Sequence, residues 1–182
     1  MEILEGYHDE LLAASRGHPL YDQFENPMPV TFGMMEAGDW PAATPDKAVV
    51  KGVFGFLPPK TKREVQAEMR EAIATHGDEW LRENFELRFP MLNLDYSETP
   101  QDHPLVKALE ASCQANGVTP RLSALTGSCD ATHYNSIAKI PTVVFGPGNI
   151  SFAHSKDEQI AVSEIVKAAQ ILVAFVADWC GS

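Results

Sequence analysis

The chain is 182 residues long and 45% hydrophobic, and its 25 acidic and 14 basic side chains give a formal charge of −11. That length suits one or two domains with a core, and a net negative surface repels phosphate backbones, which argues against nucleic acid as a partner. The longest unbroken apolar run, 171–177, is far short of the ~20 residues that span a bilayer, and the acidic opening Met1-Glu2-Ile3-Leu4-Glu5 does not read as a secretory leader, so the sequence predicts neither membrane attachment nor export.

Apolar spacing predicts a helix over 2–16, then a Pro-rich loop, strands over 29–37 and 47–56, a helix over 61–76 behind the Pro58-Pro59 turn, and a strand over 85–94. This α-β-β-α-β order is that of a ferredoxin-like β-α-β-β-α-β unit without its opening strand. The missing strand is a central one in that topology, so its neighbours would carry unpaired backbone groups that invite association. The chain divides near residues 90–100. Beyond lie a helix over 104–116, a strand over 119–124, a short helix over 129–136, a strand over 141–145 and a helix over 157–179. That β/α succession predicts part of a parallel sheet, and the fold class is α/β with segments 1–93 and 94–182.

The apolar run Pro141 to Phe145 stops at Gly146-Pro147-Gly148, and the loop that follows delivers Ala153-His154-Ser155-Lys156-Asp157-Glu158 to the last helix. Ligands in α/β proteins bind beyond the carboxyl ends of strands, at loops leading into helices, which makes His154 a candidate functional residue. Ser155 and Glu158 have the spacing of a capping box, so the expectation is a helix starting directly behind His154. On residue chemistry alone, His154 is either a metal ligand or a partner for a backbone carbonyl, and Glu158 is half of a cap.

Three separated motifs carry a resemblance: Gly127-Ser128-Cys129-Asp130-Ala131, Ile140-Pro141-Thr142-Val143-Val144-Phe145-Gly146-Pro147-Gly148, and Ala153-His154-Ser155-x-x-Glu158. Their order and spacing resemble the C-terminal third of the di-zinc acetylornithine deacetylase and succinyl-diaminopimelate desuccinylase family, which includes aminoacylases and related carboxypeptidases. Upstream, Val30-Thr31-Phe32-Gly33-Met34-Met35-Glu36-Ala37-Gly38-Asp39-Trp40, Ala43-Thr44-Pro45-Asp46 and Val53-Phe54-Gly55-Phe56-Leu57-Pro58 resemble that family's inserted lid or dimerisation domain. The resemblance implies a lid domain over 1–93, incomplete at its N-terminus, and the C-terminal segment of a zinc hydrolase catalytic domain over 94–182.

It also implies a chemistry. Family members hold two zinc ions, with cobalt as a possible substitute, and cleave the amide bond of N-acyl amino acids or small peptides with metal-activated water. Of the family's metal ligands, the late His maps onto His154. The early His-x-Asp motif and the Glu-Glu pair that includes the general base have no counterpart, because the acidic clusters Asp9-Glu10, Asp78-Glu79 and Asp157-Glu158 fall in predicted helices or a cap. A hydrolytic zinc needs three protein ligands and an open position, so the expectation is a fragment that is inactive alone, retains no zinc, and contributes no catalytic base.

Gly127, Ser128 and Asp130 map onto the stretch that contacts the substrate carboxylate or acyl group in the desuccinylase branch, which makes them substrate-binding candidates. Read without the resemblance, they form a Gly-rich turn with Asp130 favoured by a helix N-terminus. Ala42 and Gly55 stand where that branch has a lid Asn and a lid Arg. The family's oxyanion His lies before the first lid helix and has no counterpart here. His8 and His18 read as surface histidines, and His76, His103 and His133 show no ligand spacing. Cys113, Cys129 and Cys180 are far apart with no C-x-x-C pair, as in a cytoplasmic protein with reduced thiols. The resemblance further implies a homodimer paired through the lid. An alternative from another class is a non-catalytic association module that keeps the pairing surface of the lid.

Overall fold

The structure, a computed structural model, describes residues 1–91, 93–153 and 155–181. In chain order they form α1 (Glu2–Ala14), β1 (Val30–Ala37), β2 (Ala48–Phe54), α2 (Lys62–His76), α3 (Glu79–Asn84), α4 (Pro104–Ala115), a π-helical turn His133–Ile137, a 3-10 turn Ile150–Phe152, and α5 (Val162–Cys180). The chain is thus α/β, with several helices and a small antiparallel sheet. It divides into two compact units, Met1–Tyr96 with Ser123–Thr132, and Ser97–Leu122 with His133–Ser182.

In the first unit, β1 and β2 pair antiparallel from Val30↔Phe54 to Ala37↔Ala48, with a register shift between Thr31 and Met34. Gly52 lies opposite this bulge, where a Cβ would stand 2.3 Å from the Thr31 carbonyl oxygen, so only glycine fits without a shift. α2 opens on a complete capping box: Thr61 accepts from the Glu64 N–H, and the Glu64 side chain accepts from the Thr61 N–H. Its apolar residues Val65, Met69 and Ile73 recur at helical spacing and are buried. Val65 and Met69 join Tyr7 and Leu11 of α1, Met28 and Leu57 in one core, with Leu87 and Phe89 packed against it.

The segment 85–94, read as a strand, carries no ladder pairing among its described residues. Side chains of α2 meet its carbonyls instead: Arg70 donates to the Leu87 oxygen at 3.0 Å and Lys62 to the Asn93 oxygen at 2.8 Å. Arg70 also stacks over the Phe89 ring at 5.3 Å. The short helix α3, not anticipated, begins at Asp78, whose carboxylate accepts from the Leu81 N–H at 2.7 Å. His8, expected at the surface, is only 3% exposed. Its Nε2 donates to the Met28 carbonyl and its ring meets Phe54 edge-on, because His8 falls on the stripe that Leu4, Leu11 and Leu12 share one turn away on α1.

In the second unit, α4 starts at His103, whose Nδ1 accepts from the Leu105 N–H at 3.1 Å, with Pro104 in the first turn. It ends at Gly117 in the left-handed region, φ +73°, with the Val118 N–H on the Cys113 carbonyl. α4 packs on α5, and the buried residues there are Val106, Ser112 and Cys113 on α4 and Ala168 and Ile171 on α5. Segments 119–124 and 141–145, read as strands, form no ladder among the described residues. At Thr142 a side chain stands in for the neighbouring strand: the Thr99 hydroxyl donates to the Thr142 carbonyl at 2.7 Å and accepts from its N–H at 3.1 Å. Asn135 treats Glu98 the same way, its carboxamide accepting from the Glu98 N–H and donating to the Glu98 carbonyl.

Candidate functional site

Gly127, Ser128 and Asp130 lie together in the segment Ser123–Thr132 of the first unit. All three are exposed, Cys129 between them is half-buried, and Thr132 closes the turn by donating its N–H to the Cys129 carbonyl at 3.2 Å. Nothing stands within 4 Å of the place a Gly127 Cβ would occupy. Asp130 directly precedes the helical turns at 131–137, where the positive end of a helix favours a carboxylate. The helix expected over 129–136 is therefore displaced, its π-helical part running from His133 to Ile137.

His154 lies outside the described residues. The loop that contains it in sequence is bonded on either side: Ala153 donates to the Ile150 carbonyl, and Ser155 donates both its N–H and its hydroxyl to the Phe152 carbonyl. The helix expected from residue 157 does not begin there. The Ser155 hydroxyl donates to the Phe152 carbonyl and the Glu158 N–H closes a turn on the Ser155 carbonyl, while α5 begins only after Ala161, which makes no side-chain cap bond.

At the far end of that loop, Gly148 has φ +87°, and a Cβ there would stand 3.3 Å from Ile160 Cδ1. The positive φ favours glycine, and a Cβ there would also require Ile160 to shift slightly. The Gly148 N–H donates to the Glu164 carboxylate at 3.0 Å. Gly148 and Ile160 thus close the neck of the loop between them.

Among the described residues, no three His, Cys, Asp or Glu side chains converge so as to hold a metal ion. The residues on view therefore do not fit a zinc centre by themselves. His76 and His133 are exposed, His18 packs its ring edge-on to Tyr21 at 4.8 Å, and His103 is spent as a helix cap. Cys113, Cys129 and Cys180 are free thiols, and burial, helped by Glu110, pushes the Cys113 thiol above its ordinary range, which makes it inert as a nucleophile. Gly55, where the desuccinylase branch has Arg, lies against Pro29, and a Cβ there would stand 2.9 Å from the Pro29 carbonyl oxygen.

One concave feature escaped the sequence reading. An open groove of about 520 Å³ runs between α1 and α2, lined by Gly6, Tyr7, Glu10, Glu68, Glu71 and His76 among others. In it the Tyr7 hydroxyl donates to Glu68 at 2.6 Å, and Lys60 pairs with the other carboxylate oxygen. Lys60, then Tyr7, holds the Glu68 carboxyl below its usual range. Burial, then Glu68, pushes the Tyr7 hydroxyl well above its own. A tyrosine held neutral and spent on a lysine-paired carboxylate is a clasp between two helices rather than an acid or base. The Tyr7-to-Glu68 partnership spans 61 positions, so no local pattern announces it.

The sequence matches peptidase family M20/M25/M40 over residues 18–178. It is similar to the N-formyl-4-amino-5-aminomethyl-2-methylpyrimidine deformylase of Bacillus subtilis (strain 168), 29% identical over 163 residues that cover 81% of this chain and 37% of that protein. The deformylase of the same name from Halalkalibacterium halodurans is 24% identical over 201 aligned positions, covering 99% of this chain and 45% of the relative. A LysW-lysine hydrolase from Deinococcus radiodurans is 28% identical over 75 residues, 41% of this chain and 21% of that enzyme. The chain spans less than half the length of these curated relatives.

Proposed function

The chain belongs to peptidase family M20/M25/M40, and from that premise we propose that it is the lid and C-terminal catalytic portion of a metal-dependent amidohydrolase. The observation that carries this reading is the family match over 18–178, which includes the three ordered motifs at 127–131, 140–148 and 153–158. The reaction is cleavage of an amide C–N bond in a small molecule, an N-acyl amino acid or a short peptide. The named activities of its relatives, a deformylase and a LysW-lysine hydrolase, support amide cleavage as the common chemistry and widen the acyl group to formyl. In this reading residues 1–93 are the lid, 94–182 belong to the catalytic domain, and the protein works in the cytoplasm.

Gly127, Ser128 and Asp130 contact the substrate. Their shared exposed turn offers backbone N–H groups and a hydroxyl to a carboxylate or acyl oxygen. His154 is the candidate metal ligand toward zinc or cobalt, two ions in the complete enzyme. Since the described residues gather no metal-binding group of their own, no catalytic step is assigned to this chain alone.

The test is an assay of the purified chain, with excess zinc or cobalt, against N-formyl, N-acetyl and N-succinyl substrates. The expected result is no turnover. Turnover that disappears in His154→Ala would show that the chain carries a working centre and overturn the assignment of the catalytic base to residues beyond it.

A second reading, an association module, is favoured by the two-stranded sheet, which among the described residues has no third strand on either edge and exposes Met34, Met35, Val50 and Val53. Both readings include a homodimer through the lid. Sedimentation at micromolar concentration checks it: a clean monomer of 20.0 kDa throughout would remove the homodimer from either.

A further inference from the structure

Of the six asparagines in the chain, only Asn116 is followed by glycine. A glycine in that place leaves its backbone nitrogen without side-chain cover, so that nitrogen can attack the preceding carboxamide. The new bond joins the Gly117 nitrogen to the Asn116 Cγ, the Cγ–Nδ2 bond breaks, and the amide proton leaves with Nδ2 as ammonia. Water then opens the five-membered imide to aspartate or isoaspartate. The folded chain blocks the first step. Asn116 caps the end of α4 with ψ at 12°, which turns the Gly117 nitrogen away from the Asn116 side chain, so the ring closes only after a large rotation about Cα–C. Gly117 and Val118 lie beyond that bond, and both are tied back: the Gly117 N–H donates to the Gln114 carbonyl and the Val118 N–H to the Cys113 carbonyl, each at 2.9 Å. The Asn116 carboxamide itself donates to the Ser112 carbonyl at 2.8 Å, and the Asn116 backbone carbonyl accepts from Lys167 of α5 at 3.2 Å.

We propose that Asn116-Gly117 is a conformationally gated deamidation site, closed while α4 is capped and tied to α5, and modified when the end of α4 opens. Ser112 and Cys113, whose carbonyls hold the cap, are buried where α4 packs on α5, and Lys167 joins the cap to α5. The opening that admits the attack is therefore a local unfolding that loosens one helix from the other. The product does not restore the cap. A carboxylate has no N–H for the Ser112 carbonyl, and its charge opposes the negative end of a helix whose last turn carries no basic residue. Lys167 offers it only an exposed partner, and such pairs contribute little. Isoaspartate also lengthens the backbone by a methylene, which moves Gly117 and Val118 off their acceptors. The change is one-way, and it stands apart from the metal and substrate readings.

The experiment incubates the purified chain at mildly alkaline pH, folded and in denaturing urea, and follows the peptide that carries residue 116. Its mass reports the loss of ammonia and gain of water, and enzymatic methylation reports isoaspartate. Modification should run at least about tenfold faster in urea than in the folded chain. Lys167→Met, which removes one tie from an exposed position, should speed it about two- to fivefold in the folded chain. Asn116→Asp, which installs the aspartate product directly, should speed hydrogen exchange at the Val118 amide about tenfold. Equal rates folded and in urea would overturn the gate, and an unmodified peptide in urea would overturn the site itself. A wild-type rate in Lys167→Met would remove α5 from the gate. Wild-type exchange at Val118 in Asn116→Asp would overturn the one-way consequence.

Discussion

The two units bury their apolar residues to different extents. In the first, α1, α2 and the connecting loops enclose Tyr7, Leu11, Met28, Leu57, Val65 and Met69, with aromatic and aliphatic neighbours layered around them. In the second, the long helix α5 buries Ala168 and Ile171, while Val162, Val166, Val173 and Val176 on the same helix stand exposed, Val173 by 71%. Ile137, Ile140, Val144 and Ile150 in the loops of that unit are exposed as well. Residues 1–96 form a core from their own helices and loops, whereas the second unit buries a smaller set, Val106, Ser112 and Cys113 on α4 with Ala168 and Ile171 on α5. This agrees with a chain that spans less than half the length of its relatives, and it supports the reading of the second unit as part of a larger domain.

The sharpest way to break the comparison is to remove core volume from the first unit. Met28 is 1% exposed, and Met28→Ala should cost about 2–5 kcal/mol, read as a fall in the urea midpoint. A loss below about 1 kcal/mol would mean that the first unit is no better packed than the second. His8→Ala should cost about 1–3 kcal/mol, because it leaves the Met28 carbonyl without its donor inside that core. Restoration by a nonpolar residue of similar volume would show that packing, not the hydrogen bond, is what His8 contributes.

Acid and alkali sharpen it further. The folded state holds Glu68 below its ordinary value of 4.5, so its contribution is present above that value and is lost as pH falls through the lower folded one. Tyr7 is raised above its ordinary 10.0, so its contribution is full below that pH and declines above it as the unfolded state ionises. Glu68→Gln should therefore cost about 0.5–1 kcal/mol at neutral pH and converge on wild type in acid, while Tyr7→Phe should flatten the alkaline decline. Parallel pH profiles for all three proteins would remove the clasp from the first unit. The smallest effect belongs to the second unit. Val173→Ser should change stability by less than about 0.5 kcal/mol, and a larger loss would show that α5 is covered in solution.

The sequence made legible those elements whose signals are local. α1, β1, β2, α2 and α4 lie within two residues of their expected bounds, because helical spacing, alternation and the Thr61 and Pro104 starts act within a few positions. Strands at 85–94, 119–124 and 141–145 were not so decided, since a strand exists only if another chain segment pairs with it. For 85–94 the side chains of Arg70 and Lys62 took that role. The start of α5 was misplaced because Ser155 and Glu158 satisfy a capping pattern but are committed to a turn. Of the candidate site, the grouping of Gly127, Ser128 and Asp130 follows from adjacency, and the bond from Gly148 to Glu164 was hidden by the stronger local pattern between them. The burial of His8 could have been read from its spacing to Leu4 and Leu11, had polarity not outweighed periodicity.

The pairing of Thr99 with Thr142 and of Asn135 with Glu98 has a consequence for how this protein behaves in a crowd of its own kind. Val143-Val144-Phe145 is β-branched, aromatic and uncharged, the composition that seeds cross-β stacking when its backbone is free to template a neighbour. A ladder must propagate through consecutive residues, and at Thr142 both backbone groups are already taken by a hydroxyl on the same chain. That blocked rung acts as a gatekeeper next to this β-prone segment. Thr99→Val, which keeps the shape and removes the hydroxyl, would free the rung and shorten the lag before thioflavin-positive aggregates form.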